Sequence, residues 1–246
     1  MDETRADIYY LENSGFAVET RGHLLVFDWI NDAGGTVIGE RVRHKNPLVF
    51  VSHGHADHFS PTIFRWREAN PSIRYVLSSD VQATGADISA MAPLQGLVVG
   101  DVKVSTYDST DLGLSFVVAT DGLTIFHAGD LNWWHWKEES SDDEVRQSEE
   151  LFMQALTPII GQDIDIAFFP VDPRLGSDYA LGAERFIELL KPKMLVPMHF
   201  RENYAAVRTF ADKIPPQSTI VSAISHRGQH IVYTCLLYTS PSPRDS

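Results

Sequence analysis

Residues 52–60 read Ser-His-Gly-His-Ala-Asp-His-Phe-Ser, so His53, His55, Asp57 and His58 fall within six positions. Imidazole nitrogens and carboxylate oxygens are the donors that divalent zinc, iron and manganese accept. Just before them stands Leu48-Val49-Phe50-Val51, a short apolar run of the kind that forms a strand buried on both faces. Side chains alternate along an extended segment, so His53 and His55 share one side. Asp57 and His58 follow where the chain begins to turn and can face a second point nearby. Four such groups at the end of a buried strand are costly to desolvate unless something binds them. A metal in an open site lowers the pKa of bound water to around 7, which points to hydrolysis.

Other residues with chemical potential lie far along the chain. Asp28 ends the predicted strand His23–Asp28, and Asp130 closes Phe126-His127-Ala128-Gly129-Asp130. His199 sits in Pro197-Met198-His199-Phe200 after another predicted strand. Trp133, Trp134 and Trp136 follow Asp130 and can line a substrate pocket or pack as core. Arg174 and Arg201 occupy places suited to phosphate or carboxylate recognition, with a surface ion pair as the plainer role. If either binds an anion, a phosphorylated small molecule is favoured.

The elements that must position these groups are strand-rich at first. Strands are predicted at Ile8–Leu11, Gly15–Thr20, His23–Asp28, Pro47–Ser52, Arg74–Leu77, Val102–Thr106, Ser115–Ala119 and Leu123–His127. Asp121-Gly122 marks a hairpin between the last two. A helix opens at Ser60-Pro61 and runs through Glu68, with serine as N-cap and proline in the first turn. Helices at Ser140–Leu156, Gly182–Leu190 and Asn203–Lys213 then alternate with strands at Ile164–Phe169, Lys193–Pro197 and Thr219–Ser222. His230–Tyr233 is expected to pair at an edge. This order predicts a layered α/β fold of mixed sheets flanked by helices. The fold domain is placed at residues 1–234. The Pro/Ser-rich stretch Cys235–Ser246 is set aside as a disordered or artefactual tail.

Composition narrows the function. Asp and Glu number 33 against 20 Lys and Arg, a formal charge of −13, which argues against nucleic-acid partners. Bound divalent cations would offset part of that charge. The single cysteine, Cys235, forms no intrachain disulfide. The charged stretch from Met1 to Asp7 lacks a secretory core, and no apolar run approaches the roughly 20 residues that span a bilayer. The expectation is a cytoplasmic protein without a membrane anchor that acts on a small molecule. Homo-oligomerisation is left open.

The 53–58 segment matches the HxHxDH signature of the metallo-β-lactamase superfamily, and Asp28, Asp130 and His199 resemble three further motifs of it in the same order. The nearest resemblance is to stand-alone hydrolases related to L-ascorbate 6-phosphate lactonase. This implies a four-layer αβ/βα sandwich with one or two divalent ions (Zn, Mn or Fe) at an edge between two sheets. His53 and His55 would serve site one. Asp57, His58 and His199 would serve site two, and Asp130 would bridge. Asp28 would orient the histidine loop rather than bind metal, and His127 would act behind the ligands. Asp57 or Asp130 would orient the attacking water on a lactone, ester, amide or phosphodiester. One departure stands out: the family's further site-one histidine is missing, since no histidine lies between His58 and His127. Asp111 could replace it, or site one could be weak or empty. A missing nitrogen ligand would favour manganese or ferrous iron over zinc. The alternatives are a phosphodiesterase or nuclease of the same superfamily, and a redox or non-catalytic metal-binding protein of the same fold.

Overall fold

The computed structural model describes residues 3–32, 38–216 and 219–236. One sheet is built from β1 (Glu3–Tyr10), β2 (Phe16–Glu19), β3 (His23–Phe27), β4 (Asn46–Val51), β5 (Arg74–Ser78) and β6 (Ile88–Met91). The other contains β7 (Gly96–Val99), β8 (Val102–Tyr107), β9 (Ser115–Thr120), β10 (Leu123–His127), β11 (Ile166–Pro170), β12 (Met194–Met198) and β13 (Ile220–Val221). The last strand, β14 (His230–Leu236), returns to the first sheet beside β1. The orders are β14-β1-β2-β3-β4-β5-β6 and β13-β12-β11-β10-β9-β8-β7. Each sheet is antiparallel on one side and parallel on the other, with parallel pairing from β3 to β6 and from β10 to β13. This is the predicted α/β sandwich of two mixed sheets flanked by helices.

Strand β4 shows how the layers are made. Leu48 and Phe50 point into the core between the sheets, where Phe50 stacks on Phe27 at 4.7 Å and meets Phe116 edge-on. Val49 and Val51 point the other way, into a second apolar cluster with Ile63 and Tyr75. Both faces are covered, so the strand reads as an unbroken apolar run. The cover over Val49 and Val51 is the helix predicted from Ser60. It forms as a 3-10 helix, Pro61–Glu68, with Ser60 Oγ accepting from the Thr62 N–H.

On the outer face of the other sheet lie α2 (Asp142–Leu156) and α3 (Leu181–Leu190), after the short α1 (Arg41–His44) near the first sheet. Ser141 and Glu144 form a capping box that starts α2. Phe152 and Phe186 from the two helices are buried, and the Phe186 ring stacks on Phe169 of β11 at 4.5 Å. The last helix is α4 (Tyr204–Lys213).

Two boundaries shift from the sequence reading. β14 continues through Cys235 and Leu236, because β1 offers them partners at Thr4 and Glu3. The tail assigned to 235–246 therefore starts two residues too early, and its remainder lies outside the described residues. β6, β7 and α1 were not expected. Among the described residues, no helix is long and apolar enough to cross a membrane.

Candidate metal centre

The parallel strands end at one edge of the sandwich, where open α/β sheets hold ligands. The loop after β4 carries His53 to His58, the turn after β10 carries Asp130, and the turn after β12 carries His199. Donor atoms of His53, His55 and Asp130 lie within 4.8 Å of one another, and so do those of Asp57, His58 and His199. Asp130 divides its carboxylate between the groups. Its Oδ2 is 3.5 Å from His53 Nε2, while its Oδ1 is 3.1 Å from His58 Nε2 and 3.5 Å from His199 Nε2. Asp57 Oδ2 lies 3.9 Å from His58 Nε2 and 3.8 Å from His199 Nε2.

Three of the histidines are held from behind through Nδ1. His58 Nδ1 donates to Asp28 Oδ2 at 2.7 Å, and His199 Nδ1 donates to Asp172 Oδ2 at 2.9 Å. Ser52 Oγ–H donates to Asp28 Oδ2 at 2.6 Å, which leaves Oγ to accept from His53 Nδ1 at 3.0 Å. A hydrogen bond at one ring nitrogen sets what the other can do, and here it turns each Nε2 toward the centre. His53 Nε2, His58 Nε2, His199 Nε2 and Asp130 Oδ1 are all buried without a hydrogen-bond partner among the described residues. The 3.1 Å contact of His58 with Asp130 is thus an ion-pair approach without hydrogen-bond alignment. Buried polar atoms are seldom left so. Four that converge, all nitrogen or carboxylate donors, fit divalent transition-metal ions.

The electrostatics follow from this packing. Burial pushes the His58 imidazolium down, but the carboxylates of Asp130 and Asp28 outweigh it and raise the group to about 10. Burial lowers His53, with His58 adding to the effect. Asp130 resists the upward push of burial and is held below the ordinary carboxylate range by His58, His199 and His53.

Two glycines permit the close approach. Gly129 has φ 55°, and a Cβ there would lie 2.5 Å from the Leu114 carbonyl and 2.8 Å from Ser52 Cβ. Gly113, at φ 85°, lies against the Ser52 carbonyl, where a Cβ would come within 2.0 Å. The turns bearing Asp130 and the histidines can therefore touch.

The beta-lactamase superfamily domain matches residues 7–145, more than half of the chain. The chain belongs to the beta-lactamase superfamily. It is 25% identical over 210 residues to a UPF0173 metal-dependent hydrolase of Thermococcus kodakarensis, covering 78% of this chain and 84% of that one. Its fold is similar to that of Igni18, a metallo hydrolase from Ignicoccus hospitalis, with a TM-score of 0.64, 16% identity, and coverage of 93% and 98% of the two chains. YhfI from Bacillus subtilis, a metallo-β-lactamase fold protein, aligns with a TM-score of 0.62 and 15% identity over 96% of this chain and 100% of that one. The chain is a metal-dependent hydrolase of the metallo-β-lactamase fold.

Within this superfamily member, several residues tied to the centre escaped the sequence reading. Asp172, in the turn after β11, anchors His199 and is in turn gripped by Arg174 through Nε at 2.9 Å and through Nη2. Burial would raise the Asp172 carboxyl, but His199 and Arg174 hold it down to about 2. Asn13, at φ 51°, donates from Nδ2 to the Asp57 carbonyl and carboxylate at 3.2 and 3.4 Å, and its own carbonyl accepts from the His199 N–H. Asp80 Oδ2 accepts from the Gly54 N–H at 2.7 Å and pins the loop between His53 and His55. His127 touches no ligand. Its Nε2 donates to the Ser14 carbonyl at 2.8 Å and its Nδ1 accepts from Gly129 N–H at 3.2 Å, so it braces the two turns that carry Asn13 and Asp130.

The tentative substrate residues divide. Asp111 belongs to neither donor group; it is exposed and lines a cavity of about 310 Å³ with Asp130, Trp134, Trp136, Arg174 and His199. Trp133, taken as a pocket residue, turns inward and stacks on Phe152 at 6.2 Å, so Trp134 and Trp136 line the cavity instead. Arg174 is at this cavity, its guanidinium 5.7 Å from the Trp136 ring centroid. Arg201 lies on the other side of Asp57, in a second cavity of about 270 Å³, and makes no hydrogen bond or ion pair among the described residues.

Proposed function

We propose that His53, His55 and Asp130 hold one divalent ion, that Asp57, His58 and His199 hold a second with Asp130 bridging, and that the centre hydrolyses a small anionic lactone, ester or phosphoester. The observation that carries this reading is the splitting of the Asp130 carboxylate, one oxygen facing each donor group. When bound, such ions supply a water nucleophile at neutral pH and polarise the substrate's carbonyl or phosphoryl oxygen.

The chain's own groups do the rest. Asp57 is half-exposed at the mouth of the centre, where its carboxylate can orient an incoming water. Asp130 is buried and stays ionised, so it can hold charge between two cations. Arg174 and Arg201 flank the centre from two cavities and can receive an anionic substrate group. The first donor group has three protein donors, whereas the second gains a fourth by sharing Asp130, so the first ion would be held more weakly.

The test is elemental analysis after loading with zinc, manganese and ferrous iron separately, followed by a panel of lactones, esters and phosphodiesters. Asp130→Ala should abolish turnover and lower the metal content while circular dichroism stays native. Retained turnover and metal in that variant would end the assignment.

A further inference from the structure

The tryptophans after Asp130 are arranged by the backbone in a way that the metal centre alone does not require. Successive i to i+2 hydrogen bonds, His135 N–H to Trp133, Trp136 N–H to Trp134 and Lys137 N–H to His135, wind this segment into tight turns. Alternate side chains therefore fall on opposite sides. Trp133 and His135 meet on the inner side, and Trp134 and Trp136 stand together on the outer one. The outer rings are within 7° of parallel, with centroids 6.1 Å apart. Trp134 is fixed to the centre itself: its Nε1 donates to the Asp130 carbonyl at 2.9 Å, and its ring meets the His199 ring edge-on at 5.6 Å. Both rings line the 310 Å³ cavity that Asp130 and His199 open into. That volume suits one small ligand.

Arg174 closes one side of this space. Asp172 occupies its Nε and Nη2, but Nη1 donates to nothing among the described residues. A partly exposed guanidinium with a free donor face, next to parallel aromatic rings, offers charge and stacking together.

We propose that Trp134 and Trp136 form a subsite for a planar unsaturated ring in the substrate, and that Arg174 Nη1 receives an anionic oxygen beside it. The substrate is thus an aryl or heteroaryl ester or phosphoester whose scissile group lies at the metal centre. This rests on the metal-centre reading above.

Three phosphonates separate the two claims when titrated into the metal-loaded protein by calorimetry and tryptophan fluorescence. Methylphosphonate reports the metal centre together with Arg174, cyclohexylphosphonate adds apolar bulk, and phenylphosphonate adds a planar ring. Phenylphosphonate should bind about ten-fold more tightly than methylphosphonate and more tightly than cyclohexylphosphonate, the scale of one aromatic stacking contact. Trp136→Leu should erase that gain, so that phenylphosphonate binds no more tightly than cyclohexylphosphonate. Arg174→Gln should weaken all three. Equal affinities for phenyl and cyclohexyl probes in the unaltered protein would overturn the planar-ring subsite, and so would equal affinities for phenyl and methyl probes; both results leave the metal centre standing. No binding of any phosphonate to protein shown to hold metal would overturn both readings.

Discussion

Asp172→Asn isolates the contribution of a single anchoring charge. The substitution keeps the shape of the side chain and one oxygen to accept from His199 Nδ1; it removes the negative charge and replaces the other acceptor with an NH2 group facing Arg174. In the native protein that carboxyl is 1% exposed and is held down to about 2 from an ordinary 3.8 by His199 and Arg174. The shift corresponds to about 2 kcal/mol of stability in the metal-free protein. The sign follows from linkage. A depressed carboxyl contributes above its unfolded value, so the gap between native and variant should be full above pH 3.8 and shrink as pH falls toward about 2. The variant also leaves Arg174 beside His199, with Nη2 3.5 Å from Nδ1, so an uncompensated cation faces a ligand ring. Loss of a partner behind a ligating histidine typically costs roughly 10–100-fold in metal affinity. Chelator-competition titration at pH 7 should show the loss in one ion and not in both, because Asp172 touches only His199 of the six donors. Thermal melts with and without chelator separate this from a general loss of fold. Undiminished affinity for both ions in a folded variant would refute the claim that Asp172 holds His199 in place for its ion.

Asn13→Ala should release the half-exposed Asp57 and remove about 1 kcal/mol of positioning, seen as several-fold weaker binding of the ion assigned to Asp57, His58 and His199, with little change in melting temperature. Gly129→Ala should cost more than about 2 kcal/mol, since it adds left-handed strain to a clash with the Leu114 carbonyl and Ser52; a melting temperature within a degree of native would contradict the packing described. His58 is raised to about 10, so a metal taking its Nε2 must displace a proton at neutral pH. Affinity for that ion should rise by about ten-fold per pH unit between roughly pH 7 and 9, read as one proton released per ion by calorimetry in buffers of different ionisation enthalpy.

What could be read from the sequence was what is local or strongly patterned. His53, His55, Asp57 and His58 lie in one short segment after an apolar strand, and β4 announces itself because both its faces are covered. Asp130 and His199 were found through motifs at strand ends. Asp172, Asn13 and Asp80 were not, because each is a lone polar residue whose partner lies 26 to 44 positions away. Faint signals existed. Asp172 follows a buried strand and precedes a proline, and Asn13 stands in Asn-Ser-Gly, where a left-handed residue is easily accommodated. The tryptophan cluster was visible, but which ring faces the cavity depends on the tight turns of residues 133–137, a backbone detail without a residue-type signature. β6 and β7 were missed because both are short and largely uncovered, so neither shows a clean period of two.

The centre is organised as a deliberate deficit inside a satisfied network. Behind the ligands the anchoring bonds are made: Asp28 takes Ser52 N–H, Ser52 Oγ–H and His58, Asp172 takes His199 and Arg174, and His127 joins Ser14 to Gly129. In front of them, four buried donor atoms are left open, divided between the two donor groups. Each unmet buried polar group costs about 1–3 kcal/mol, so the fold carries that cost at the centre and offsets it in the two apolar cores. Rotating a ring to seek another partner would break the bond at its Nδ1, so the open nitrogens cannot relieve themselves locally. The anchoring network therefore both stabilises the strand ends and keeps the donors unpaired, and the two divalent cations proposed above would meet all four between them.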